Sequence, residues 1–221
     1  MRRLRMLALI SLGAALLVQA PASAEEVPAD CDPGMDLTGF NVIIGTDASE
    51  TLVGTEGPDF ICGRLGNDRI IGLGGDDAIL GDDATFFGNQ QAPGGNDTIS
   101  AGNGNDQVLS GPGNDTVTGS LGDDFLALAQ GDDVGTGGPG SDTIVGGFGT
   151  DVATGGPGAD SLAGGPGSDV LNGGAGDDFL AGELPPDSEP PGPLPPKTDR
   201  CHGASGFDIA VDCDSTTGAE G

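Results

Sequence analysis

Tryptophan and tyrosine are absent from the 221 residues, phenylalanine occurs only eight times, histidine once, and lysine with arginine seven times. Each shortage removes an option. Without large aromatic side chains there is little bulky apolar material from which to build an ordinary core. The sole histidine, His202, sits beside Cys201, so scattered serines and aspartates have no second histidine with which to assemble a catalytic triad, and an enzyme is not expected. Seven basic side chains against 35 acidic ones give a formal net charge of −28, which argues against a nucleic-acid partner. Long apolar runs are missing too: the longest, Met6 to Val18, falls short of the roughly 20 residues that a membrane-spanning helix needs.

That short run has the setting of an export signal. Arg2, Arg3 and Arg5 precede it, and Ala22-Ser23-Ala24 follows as a small-residue cleavage site, so residues 1–24 are expected to be removed after Ala24 and the product secreted. Cleavage leaves four basic side chains against the same 35 acids, a formal −31. Like charge of this density opposes compaction. Such a chain either stays disordered or takes its counter-charge from bound cations.

What is abundant is glycine, at 44 residues, together with aspartate on a fixed period of nine. Asp97, Asp106, Asp115, Asp124, Asp133, Asp142, Asp151, Asp160, Asp169 and Asp178 follow one another at that spacing, as do Asp59, Asp68 and Asp77, with Glu50 in phase one step upstream. Asp97 follows Asp77 by twenty residues, two periods plus two, and Gly81 to Ala92 lacks the expected loop, which marks an interrupted repeat. Within a period, six loop residues precede three that suit a short strand. Gly137 to Asp142 reads GGPGSD before Thr143-Ile144-Val145, and strict copies follow at Gly146, Gly155, Gly164 and Gly173. Looser copies are GRLGND at Gly63, GLGGDD at Gly72, AGNGND at Ala101 and SGPGND at Ser110. Glycine permits positive φ and close approach of backbones, and the residue two places after each aspartate supplies one inward aliphatic side chain. Those residues are Ile61, Ile70, Ile79, Ile99, Val108, Val117, Leu126, Ile144, Leu162, Leu171 and Leu180, with Gly135 and Ala153 as the weak places.

The pattern GGxGxDx(aliphatic)x resembles the RTX, or haemolysin-type, calcium-binding repeat over Gly45 to Gly182. The resemblance implies an all-β fold, a right-handed parallel β-roll in which two nonapeptides make one coil and strands alternate between two sheets. It also implies Ca2+ as cofactor, several ions lying in the loops between coils, held by aspartate carboxylates from neighbouring loops and by loop carbonyls. On that basis Asp59, Asp77, Asp97, Asp115, Asp133, Asp151 and Asp169 are expected along one edge, and Asp68, Asp106, Asp124, Asp142, Asp160 and Asp178 along the other. Roughly ten ions are expected, with a gap in one column at Gly81 to Ala92. Without cations each edge is a column of repelling carboxylates, so calcium uptake and folding are expected to be coupled.

The remaining segments frame the roll: residues 25–44 as an N-terminal cap, 45–182 as the roll, 183–199 as a Pro-rich linker, and 200–221 as a C-terminal cap in which Gly203 to Val211 resembles one last repeat. Four cysteines in an exported chain allow two disulfides in three connectivities. Cys31 with Cys62, and Cys201 with Cys213, is favoured, because the roll between Cys62 and Gly182 would run about 32 Å. A linker folding back along the roll keeps the other pairings open. The last strand positions carry Ser100, Thr118, Thr136 and Thr154 on one sheet, and Leu109, Ala127, Val145, Ala163 and Ala181 on the other. Such faces suit an adhesive, ice-binding or self-associating module as an alternative function, with calcium serving only for rigidity; β-propensity alone also explains them.

Overall fold

The computed structural model describes residues 28, 31, 35–82, 94–182, 199–211, 213 and 215–217. The expected signal peptide, and the Pro-rich linker apart from Asp199, lie outside them. In chain order the strands are β1 (Asn41–Ile44), β2 (Thr51–Val53), β3 (Asp59–Cys62), β4 (Arg69–Gly74), β5 (Ala78–Leu80), β6 (Thr98–Asn103), β7 (Gln107–Leu109), β8 (Thr116–Leu121) and β9 (Phe125–Gln130). They continue with β10 (Val134–Thr136), β11 (Thr143–Phe148), β12 (Val152–Pro157), β13 (Ser161–Ala163), β14 (Val170–Ala175), β15 (Phe179–Ala181), β16 (Arg200–His202), β17 (Ile209–Val211) and β18 (Ser215–Thr217). Among the described residues no α-helix interrupts them.

Odd-numbered strands form one nine-stranded sheet and even-numbered strands the other. Every pairing is parallel. Val134 pairs with Val152 and Val152 with Val170, so a coil is eighteen residues, or two nonapeptides. The result is a two-sheet β-solenoid, the β-roll that the repeat implies. It follows from the period: a loop of glycines turns the chain, three strand residues cross the sheet, and the next loop turns it back.

Between the sheets lies a file of aliphatic side chains, one per strand. Ile61, Ile70, Val117, Leu126, Ile144, Leu162, Leu171 and Leu180 have no exposed surface at all. Each is worth about 1.5–3 kcal/mol on burial. Gly135, where the file lacks a side chain, is compensated locally. Leu128 takes the place of the first glycine of its loop and is fully buried, and a Cβ on Gly135 would lie 3.0 Å from its Cδ1. The weak place expected at Gly135 is therefore filled from the side.

Described residues of the N-terminal segment do more than close the first coil. Cys31 and Leu37 pack with Val42, Phe60 and Cys62 in a second apolar cluster, flanked by Phe40, Ile44, Ala78 and Leu80. Val42, Phe60 and Ala78 share one register row and Ile44, Cys62 and Leu80 another, on either side of the inward row of Ile43, Ile61 and Ile79. The segment thus covers the outer face of the odd-numbered sheet over its first coils. Cys31 is bonded to Cys62, and Cys201 to Cys213.

The interruption of the repeat corrects the register expected from sequence. Ile70 pairs with Ile99, and Ile79 with Val108, each step being 29 residues instead of 18. Eleven residues are therefore inserted inside one loop: Gly81 and Asp82 open it, 83–93 lie outside the described residues, and Gly94 to Asp97 complete it. No loop is missing. The twenty-residue step from Asp77 to Asp97 is one period plus eleven, not the two periods plus two expected from sequence. A second excursion lies between β15 and β16, where Val170 pairs with Arg200 across 30 residues.

Candidate metal centre

The loops stack as closely as the strands, and glycine makes this possible at particular atoms. At the fourth loop position a Cβ on Gly140 would lie 1.8 Å from the carbonyl oxygen of Gly122, one coil earlier, and one on Gly158 would lie 1.6 Å from that of Gly140. At the first position the space is taken by the loop's own aspartate: Oδ2 of Asp142 lies 2.2 Å from where a Cβ on Gly137 would be, and Oδ2 of Asp178 lies 2.3 Å from that of Gly173. The glycines thus create a cradle that the carboxylate fills.

The aspartates stand in two columns. Oδ1 of each accepts the backbone N–H of the aspartate one coil earlier: Asp59 donates to Asp77, Asp77 to Asp106, and Asp106 to Asp124, at 2.8–2.9 Å. The same edge continues through Asp142, Asp160 and Asp178 to Asp208. On the other edge Glu50 donates to Asp68, and the chain of bonds runs through Asp97, Asp115, Asp133, Asp151 and Asp169 to Asp199. The columns expected from sequence need correcting upstream of the insertion: Asp59 and Asp77 stand with Asp106, and Asp68 stands with Asp97. An insertion that adds no half-coil leaves the alternation of edges unbroken, whereas a count of two periods reverses it. The gap expected in one column is likewise absent, since Asp68 and Asp97 are bonded directly at 2.9 Å.

The second carboxylate oxygen carries the chemistry. All thirteen aspartates expected as ligands are buried, none more than 3 % exposed. Oδ2 of Asp68, Asp77, Asp97, Asp106, Asp115, Asp124, Asp133, Asp142, Asp151, Asp160 and Asp178 is buried without a hydrogen-bond donor. An unpaired buried carboxylate oxygen is costly, and the cost is relieved by a proton or by a cation. Burial, partly opposed by the backbone N–H bond, pushes Asp133 up to about 8, Asp77 and Asp97 to about 7, and Asp68, Asp106, Asp115, Asp142 and Asp151 to about 6. Asp124, Asp160 and Asp178 are raised for the same reason. Neighbouring carboxylates add to the rise at several of these, as Asp106 does at Asp77. Among the described residues no three His, Cys, Asp or Glu side chains converge on one point. A cation in this column would therefore draw on one or two carboxylates and take its remaining ligands from loop carbonyls and water, a set of hard oxygens that fits Ca2+.

Asp208, the centre of the last repeat expected over Gly203 to Val211, continues one column. Three further features of the site are not legible in the repeat pattern. Asp199 extends the other column into the C-terminal coils. Asp82, buried in the interrupted loop, accepts from Gly95 N–H. A second ladder lies at the fifth loop position and runs the opposite way: the side chains of Asn67, Asn96 and Asn114 accept from the backbone of Asn96, Asn114 and Asp132, and Asp76, Asn105 and Asp123 from Asn105, Asp123 and Ser141. The Asn-Asp and Asp-Asp endings of the upstream loops carried that signal.

The loops that place these carboxylates are also what comparison with known proteins detects. No curated protein matches the chain. The family model of the RTX calcium-binding nonapeptide repeat matches in four copies, at residues 44–79, 94–126, 129–162 and 154–184, with its first break at the eleven-residue insertion. Those copies cover more than half of the chain, each spans loops that contribute to the two carboxylate columns, and the chain belongs to the RTX calcium-binding nonapeptide repeat family.

Proposed function

We propose that this is a secreted calcium-binding protein, not an enzyme, whose roll folds or rigidifies as Ca2+ ions enter between stacked loops. The observation that carries this reading is the column of buried carboxylate oxygens without donors on each edge. The ligands on this reading are Asp59, Asp77, Asp106, Asp124, Asp142, Asp160 and Asp178 on one edge and Asp68, Asp97, Asp115, Asp133, Asp151 and Asp169 on the other, completed by loop carbonyls. Two disulfides and the repeat family support an extracellular setting, where calcium is plentiful and thiols oxidise. Among the described residues no helix is long and apolar enough to cross a membrane.

Far-ultraviolet circular dichroism tests the coupling at neutral pH. Calcium added to the chelator-treated chain should convert a weakly structured spectrum into a β-rich one, and a spectrum already β-rich in EDTA refutes the coupling. A second reading, an extracellular adhesive module stiffened by calcium, draws on the broad faces. Val134, Val152 and Val170 form an exposed column of one sheet, and Phe125 and Phe179 are exposed on the other. Pull-down on cell surfaces separates it from a simple calcium binder.

A further inference from the structure

On the edge that carries Asp97, the second loop position is occupied by Thr46, Arg64, Gly111, Ala129, Gly147 and Gly165 in the regular loops, none of them acidic. The interrupted loop differs. Its second residue is Asp82, 2 % exposed, whose backbone N–H donates to Ser110 O at 3.0 Å. Both carboxylate oxygens share a single donor, the Gly95 N–H, at 3.2 and 3.1 Å. Oδ2 also closes on the backbone of its own loop and of the next, 2.4 Å from where a Cβ on Gly94 would be and 2.9 Å from that of Gly111. The charged groups that act on Asp82 are Asp97, Asp115 and Asp68, all of its own sign, with Asp97 the strongest. Asp97 is itself 2 % exposed, and its Oδ2 has no donor.

One loop therefore brings two buried carboxylates to a level of the column where, among the described residues, each regular loop of this edge brings one. In a regular loop the second residue only has to turn the backbone. Here Gly81 and Asp82 make the same backbone bonds, to Leu109 O and Ser110 O, as Gly164 and Gly165 make to Ala181 O and Gly182 O, so the second position keeps its place in the stack and carries a buried acidic side chain. Affinity of an oxygen site for Ca2+ rises with the number of charged ligands. We propose that Asp82 and Asp97 form a two-carboxylate calcium site in the interrupted loop, the tightest on the chain and the first to fill. The inference rests on the calcium-binding reading above and adds a ligand outside the repeat pattern.

Calorimetric titration of the full-length secreted protein with calcium tests it, with wild type, Asp82→Asn and Asp82→Gly compared. Asparagine keeps an acceptor for Gly95 N–H, and glycine installs the residue that the strict repeats carry there, so failure of one variant to fold leaves the other as the test. The wild type should show one step tighter than the rest. Both variants should weaken that step by at least about tenfold while the other sites keep their affinity. Variants that titrate like the wild type overturn the two-carboxylate site and leave calcium binding by the regular loops intact. A wild-type chain that takes up no calcium overturns the underlying reading, and this site with it.

Discussion

Removing calcium while lowering the pH perturbs the two carboxylate columns in a way that an ordinary acidic protein would not show. In the folded roll Asp68, Asp77, Asp82, Asp97, Asp106, Asp115, Asp124, Asp133, Asp142, Asp151, Asp160 and Asp178 titrate above the unfolded value of about 3.9, because burial disfavours the charged form. At pH 6 Asp77, Asp82, Asp97 and Asp133 are almost fully protonated, and Asp68, Asp106, Asp115, Asp142 and Asp151 about half so. The roll then holds roughly six protons more than the unfolded chain, and stability falls with rising pH wherever the folded state binds the more protons. Protonation thus stabilises the calcium-free roll fully below about pH 4, and the contribution is lost as pH rises through 6 to 8. The chelator-treated chain should be largely unfolded at pH 8 and gain β-structure on acidification. A transition linked to about six protons should be complete within about one pH unit. Circular dichroism, with sedimentation velocity to verify a monomer, follows it. On the proposed reading calcium replaces the protons at pH 7 to 8, so its affinity should fall on acidification. A calcium-free chain whose β-content stays flat or declines between pH 8 and 5 refutes the reasoning, since it would mean that the buried carboxylates do not control folding.

Four further outcomes follow from the packing. Gly140→Ala places a methyl group 1.8 Å from Gly122 O at a φ of +151°; it should destabilise the calcium-loaded roll by about 3 kcal/mol or more. Ala129→Gly relieves a φ of +76° and should stabilise it by about 1 kcal/mol in denaturant titration. Leu128→Gly should cost about 3–5 kcal/mol by opening the file beside Gly135. Adding Gly135→Leu should recover most of that loss, and strictly additive effects of the two changes would disprove that one side chain stands in for the other. Replacing Cys31 by serine removes a crosslink across 31 residues, worth about 3–4 kcal/mol. It should also expose the outer face around Phe60, detectable as faster proteolysis before Asn41.

The parts of this fold that the sequence makes legible are those with one job per position. A nine-residue period with glycine, aspartate and an aliphatic residue in fixed places specifies a coil, because each job recurs unchanged from coil to coil. The edge on which an aspartate stands depends instead on a count of half-coils, and that count fails at a single point. Twenty residues from Asp77 to Asp97 fit two periods plus two as readily as one period plus eleven. The deciding fact is that Gly81 meets Asp97 Oδ2 as any first loop glycine meets its own aspartate, although sixteen positions separate them instead of five. Only stacking on the coils above and below selects that pairing. The Leu128–Gly135 exchange was hidden for a related reason: a leucine in a glycine position and a glycine in a core position look like two errors until they are placed side by side. A parallel solenoid tolerates both departures because each coil needs only to match its neighbours. An insertion that leaves the aspartate column continuous costs the stack little, and it frees one loop, at Asp82, to depart from the repeat.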